Sequence, residues 1–209
     1  MKYLSLPPRV SEADFDKAVA EFRKIVGSQW VFVSEEEMKP YCKVMMATKI
    51  EDVMPSIAIA PKSVKEIQAI LKVCNQYKVP VWAFSTGKNL GYGTTSPARK
   101  GTALLDLKRM NKIIEVNEKL AYALVEPGVT YQQLYDYLKK KKIPLSLSFP
   151  APSAIASPVG NTIDRGVGYT PYGEHFMMQC GMEVVLANGE VLKTGMGGIK
   201  NSNSWQVFK

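Results

Sequence analysis

SVKEIQAILKVCNQYKVPVWAFSTGKNLGYG, residues 63–93, changes its periodicity twice. Ser63 and Glu66 have the spacing of a helix cap, and Ile67, Ile70, Leu71 and Cys74 fall on one face of a 3.6-residue repeat. The run VPVWAF then reads as a short strand, and STGKNLGYG, residues 85–93, as a loop with glycines at 87, 91 and 93. A helix feeding a strand that opens into a glycine-rich loop belongs to a mixed fold whose loops approach something other than a side-chain core.

The flanks repeat the units. SEADFDKAVAEFRKIVG carries a Ser11/Asp14 cap, an apolar face from Phe15 to Val26 and a stop at Gly27, which predicts an N-terminal amphipathic helix. TALLDL predicts a strand, KIIEVN and LAYALVEP a hairpin, and TYQQLYDYLKKK a helix capped by Thr130 and Gln133. In MEVVLANGEVLKTG, Asn188-Gly189 suits a two-residue type I′ turn. Helix-strand units mixed with antiparallel hairpins give an α+β fold class. An N-terminal helical segment over residues 1–50 and a domain over 51–209 are expected. SNSWQVFK stops on an apolar, aromatic pattern, as if inside an element, so a partial or split chain is expected.

Composition removes several functions. The chain has 209 residues, 46% hydrophobic and 22% charged, enough to bury a core without any apolar run long enough for a bilayer. The N-terminus lacks a signal-peptide core, which points to synthesis and folding in the cytoplasm. The net charge of +8 is scattered except for KKKK at 139–142, which closes a helix where cations are favoured. No nucleic-acid motif accompanies it, so steering of an anionic ligand or acidic partner is the better use of the charge. Three cysteines without CxxC spacing read as buried free thiols, and one histidine, His175, cannot assemble a metal site and reads as structural.

GNTIDRGVGYTPYG, residues 160–173, has four glycines and almost no packing side chains. It is no Rossmann fingerprint, because Pro171 takes the third glycine's place, and STGKNLGYG is no P-loop, because Trp82 replaces the first glycine and Asn89 follows Lys88. With the turn EPGVTYQQL, two such loops could enclose a long anionic ligand such as a dinucleotide; ordinary turns are the bland alternative.

STGKNLGYG, LVEPGVTY, NSWQVF and the long stretch SFPAPSAIASPVGNTIDRGVGYTPYGEHFMMQCGMEVVLANGEVLKTGMGG together resemble the vanillyl-alcohol oxidase family of flavoproteins with PCMH-type FAD-binding domains. The resemblance runs from about residue 10 to the end. It implies an FAD-binding domain of two α+β subdomains, with the family's C-terminal substrate domain and its covalent flavin-attachment residue missing from this chain. Ser85, Thr86, Gly87, Lys88, Asn89, Gly91 and Gly93 would wrap the pyrophosphate, Lys88 standing where the family usually has Arg. Pro158, Gly160, Asn161, Asp164, Arg165, Gly168 and Tyr169 would line the diphosphate and flavin, with Glu183 and Val184 near the adenosine half. Tyr92 would bind the substrate as phenolate.

The reaction implied is hydride transfer from a 4-alkylphenol to FAD through a quinone methide, followed by hydration. No acid lies between Leu145 and Thr162, where oxidase members carry an aspartate, and Pro158 would crowd oxygen. A dehydrogenase passing electrons to a c-type cytochrome subunit is therefore implied over a vanillyl-alcohol or eugenol-type oxidase. A truncated, non-catalytic FAD module is the alternative from another class. A homo-oligomer, or a periplasmic complex with an exported cytochrome, is compatible with the resemblance; no metal, nucleic acid or membrane insertion is implied.

Overall fold

The computed structural model describes residues 3–90, 94–151 and 154–195. Helix α1 (Glu12–Val26) begins where Ser11 accepts from the Asp14 N–H at 3.1 Å and ends at Gly27, φ +91°. Strand β1 (Val31–Phe32) and a one-turn helix α2 (Glu35–Met38), closed by a Ser34/Glu37 capping box, lead to strand β2 (Ala58–Ile59). Helix α3 (Val64–Tyr77) has the expected Ser63 cap, and strand β3 (Val81–Phe84) follows within four residues. Strand β4 (Ala103–Asp106) completes a four-stranded sheet in the order β1-β2-β4-β3. Only β1 is antiparallel.

The central strands β2 and β4 are buried on both faces and so read as continuous apolar runs, whereas Trp82 and Ala83 of edge strand β3 are exposed. On one face Ile59, Ala103 and Leu105 join Phe15, Phe22 and Val26 of α1 and Ile70, Val73 and Cys74 of α3. On the other, Ala58 and Leu104 join Met38, Tyr41 and Phe84. The segment up to residue 50 thus shares one core with the sheet that follows it.

A second lobe begins with the hairpin of β5 (Ile113–Asn117) and β6 (Tyr122–Val125), which bulges between Ile113 and Glu115. Helix α4 (Tyr131–Lys141) carries the expected Thr130/Gln133 capping box, and its lysines crowd the last turn before Lys142 caps it in the left-handed region. A six-residue helix, α5 (Pro158–Ile163), and a 3-10 turn, His175–Met178, interrupt the stretch that the sequence left without regular structure. Strands β7 (Glu183–Val185) and β8 (Val191–Lys193) then form the expected hairpin.

Two expectations need correction. The β7–β8 turn is a three-residue loop, with the Gly189 N–H bonded to the Leu186 carbonyl; only Gly189 takes positive φ, whereas a type I′ turn would need Asn188 there too. Of the thiols only Cys74 is buried, its pKa pushed up to about 12 by that burial; Cys42 is half-buried and Cys180 exposed.

Phe22, fully buried between α1 and the sheet, tests this core. Phe22→Ala is expected to cost about 3–5 kcal/mol, read as a lower urea midpoint at unchanged slope, whereas Leu120→Ala on the exposed hairpin tip stays within about 0.5 kcal/mol.

Candidate functional site

A cleft of about 500 Å³ runs along the open edge of β3 and is closed on its far side by the second lobe. Its floor is Trp82, Ala83 and Phe84; its first wall is Ser85 to Leu90; its second wall includes Ser157, Gly160, Asn161, Asp164 and Arg165.

The first wall leaves the carboxyl end of β3, the end at which open parallel sheets receive ligands. Gly87 turns it at φ +66°, where a Cβ would come within 2.3 Å of Thr95. The N–H groups of Thr86, Gly87, Lys88 and Asn89 donate to no acceptor among the described residues. Four unpaired donors in sequence beside one lysine make a cradle for anionic oxygens.

The second wall is built by capping. Ser157, 2% exposed, donates to the Pro127 carbonyl at 2.7 Å and accepts from the Gly160 N–H, which starts α5. The chain just before it accepts from the first turn of α4, Tyr131 N–H to Ala156 O and Gln132 N–H to Ala154 O. Gly160 faces the first wall so closely that a Cβ there would lie 2.2 Å from Ser85 Oγ. Asn89 donates to Asp164 at 2.7 Å, tying the walls together across 75 residues of sequence. Partial withdrawal from water raises the Asp164 pKa even though the residue as a whole is exposed. Arg165, at positive φ, stacks its guanidinium 4.8 Å from the Phe176 ring centre.

The structure therefore brings Ser85, Thr86, Gly87, Lys88, Asn89, Gly160, Asn161, Asp164, Arg165 and Tyr169 to one cleft. Pro158 and Gly168 sit between lining residues without lining it themselves. Glu183 and Val184 lie in the β7–β8 hairpin, whose turn is held to α3 by Gln68 and Asn75 through the carbonyls of Gly189 and Ala187. Gly91, Tyr92 and Gly93 lie outside the described residues, as does Ser153. Sequence reasoning missed Trp82, Pro127 and Ser157; the Ser157-Pro158 pair, a helix cap followed by proline at the first helical position, was the available signal.

These residues fit a dinucleotide: unpaired N–H donors and Lys88 suit a diphosphate, and glycine on the facing wall leaves room for a flat ring system. Among the described residues no group of three or more His, Cys, Asp or Glu could hold a metal, and no helix is long and apolar enough to cross a membrane.

His175 is 7% exposed behind the second wall, where burial holds its pKa below the usual 6.5. The folded chain therefore refuses a proton that the unfolded chain takes up, so stability is complete above about pH 6.5 and falls as pH drops below it. No other histidine titrates in that window. Just below pH 6.5, urea unfolding is expected to show a loss of at most about 1.4 kcal/mol per pH unit from His175, which His175→Asn removes, while further into acid Asp14 and Glu37, whose carboxyls hydrogen bonds hold below the usual range, add losses that persist in the variant.

Comparison with known proteins agrees with this geometry. The chain is 55% identical over 204 residues to the 4-cresol dehydrogenase (hydroxylating) flavoprotein subunit of Pseudomonas putida, covering 98% of this chain and 39% of that one. The crystal structure of p-cresol methylhydroxylase with substrate bound superposes at a TM-score of 0.93 and 55% identity, over 98% of this chain and 40% of that chain. The 4-ethylphenol oxidase from Gulosibacter chungangensis, in an isoeugenol complex, superposes at 0.91 and 45% identity, with 98% and 39% covered. The chain thus spans about two fifths of the length of these relatives. With residues 55–195 matching the family described as FAD binding domain, around a cleft whose donors suit a diphosphate, the chain belongs to that FAD-binding family.

Proposed function

We propose that this chain is the FAD-holding part of a flavoenzyme that oxidises 4-alkylphenols such as p-cresol to the hydroxylated product and hands the electrons to a c-type cytochrome subunit. The observation that carries the reading is that Thr86 to Asn89, whose N–H groups have no acceptor among the described residues, line one cleft together with Asn161 and Asp164. Bound FAD supplies the hydride acceptor. The chain's own part is to bind and orient: Thr86–Asn89 would grip the diphosphate and Lys88 would neutralise it, as a point charge rather than a bidentate fork. Gly160 would let the second wall lie flat against the ring system, and Tyr92 would donate its hydroxyl to the phenolate oxygen, which favours the ionised substrate.

Further polypeptide is needed to close the substrate pocket. Tyr169, Tyr172 and Met177 are 81%, 73% and 72% exposed on the same lobe, an apolar surface that supports this part of the reading. Oxygen as acceptor is the second reading, favoured by the 45% identity to a 4-ethylphenol oxidase. The names of both relatives support a para-substituted phenol as the substrate class.

The absorption spectrum of the purified chain, before and after denaturation, is expected to show flavin bands that acid precipitation releases into the supernatant, as follows if the family's covalent attachment residue lies outside this chain. Joined with its missing portion, the protein is expected to bleach with p-cresol under nitrogen. A yellow complex that never bleaches would leave only a binding module, and rapid oxygen consumption with substrate would establish the oxidase. Gly160→Val is expected to weaken FAD binding at least tenfold by driving the walls apart. Gly160→Ala costs less, because the atom it would meet, Ser85 Oγ, can rotate away.

A further inference from the structure

Helix α5 forms much of the second wall, yet it has little to hold it there. It is six residues long, buries no side chain, and is far too short to persist alone. Its place is set by polar contacts: the Ser157 cap at its start, the Asn89–Asp164 bond at its end, and in the middle Asn161, whose side chain meets His175. The Asn161 amide fills the space left open by Gly166, where a Cβ would come within 2.0 Å of it.

The His175 ring lies between α4 and α5. Its Nδ1 contacts the Asn161 side-chain oxygen and stands 3.3 Å from the Tyr131 hydroxyl. With the amide oxygen turned to the ring, Nδ1 is the donor of that pair, which is the tautomer that leaves the acceptor on Nε2. That Nε2 is buried and has no partner among the described residues, and the same holds for Ser148 Oγ. Both atoms flank Gly168: a Cβ there would sit 2.6 Å from Nε2 and 2.0 Å from Ser148 Oγ. A buried hydroxyl thus stands on the acceptor side of the ring, and an amide acceptor stands on its donor side.

We propose that His175 is a positioning residue for the cofactor: as the Nδ1-protonated tautomer it holds Asn161, and through it the α5 wall, opposite Thr86–Asn89, so that FAD affinity depends on a side chain that does not line the cleft. The proposal rests on FAD occupying that cleft.

Two measurements on the purified chain test it: FAD titration by quenching of flavin fluorescence, and amide hydrogen exchange across residues 158–168. Asn places an N–H donor near the Nδ1 position, whereas Gln places it near Nε2. His175→Asn is therefore expected to keep FAD affinity and exchange within threefold of wild type. His175→Gln is expected to weaken affinity and accelerate exchange at least tenfold, with circular dichroism confirming that both variants fold. Equal behaviour of Asn and Gln, or wild-type affinity in His175→Gln, overturns the positioning role while leaving the cofactor reading intact. A wild-type chain that takes up no FAD overturns the cofactor reading and the proposal together.

Discussion

Strands β3 and β4 pair in parallel and are neighbours in both sequence and sheet, so the chain leaving Phe84 must travel back the length of the strand before Ala103 can start. A helix is the usual way to make that return, but here it is made by the loop that starts at Ser85. Such a loop cannot satisfy its own donors as a helix does, and Thr86 to Asn89 are left with N–H groups and no acceptors among the described residues. Because β3 is the edge strand, nothing of the sheet covers that side, and the space beside Trp82 remains open. The row of unpaired donors is thus a by-product of strand order, and the second lobe has only to bring a facing wall.

The facing wall is held by specificity of contact where the first lobe is held by area. Around the sheet, interchangeable apolar side chains fill space on two faces, and the hydrophobic effect is indifferent to their orientation. At α5 the stabilising groups are single hydrogen bonds, each modest in worth but costly to leave unmade once buried. The cleft therefore has one rigid side and one side whose position depends on a few polar partners.

What could be read in the sequence follows the same division. The α1, α3 and α4 helices announce themselves through caps and apolar stripes because their information is local, and the cap at Thr130 appears in the structure as spaced. The glycines of both loops could be recognised as backbone that something approaches, and ten of the assigned residues meet at one cleft. The Asn89–Asp164 tie could not be read, because nothing local joins residues 75 positions apart. The β7–β8 turn was misjudged for a different reason: Asn188-Gly189 is compatible with two loop lengths, and the strand register, which no dipeptide encodes, chose the longer. Helix α5 escaped because it is six residues long and buries no side chain, and Val159 and Ile163, its apolar pair, line the cleft instead of a core.

The β7–β8 hairpin returns to α3, where Gln68 and Asn75 grip its turn. The whole second lobe is consequently an insertion: the backbone departs from the first lobe after β4 and comes home at β7. A lobe hung on a single linker can swing wide, but one tethered at both ends behaves like a drawbridge on two chains. The second wall of the cleft is thus referred back to the first lobe at two places, the connection that leaves β4 and the contact of α3 with the β7–β8 turn.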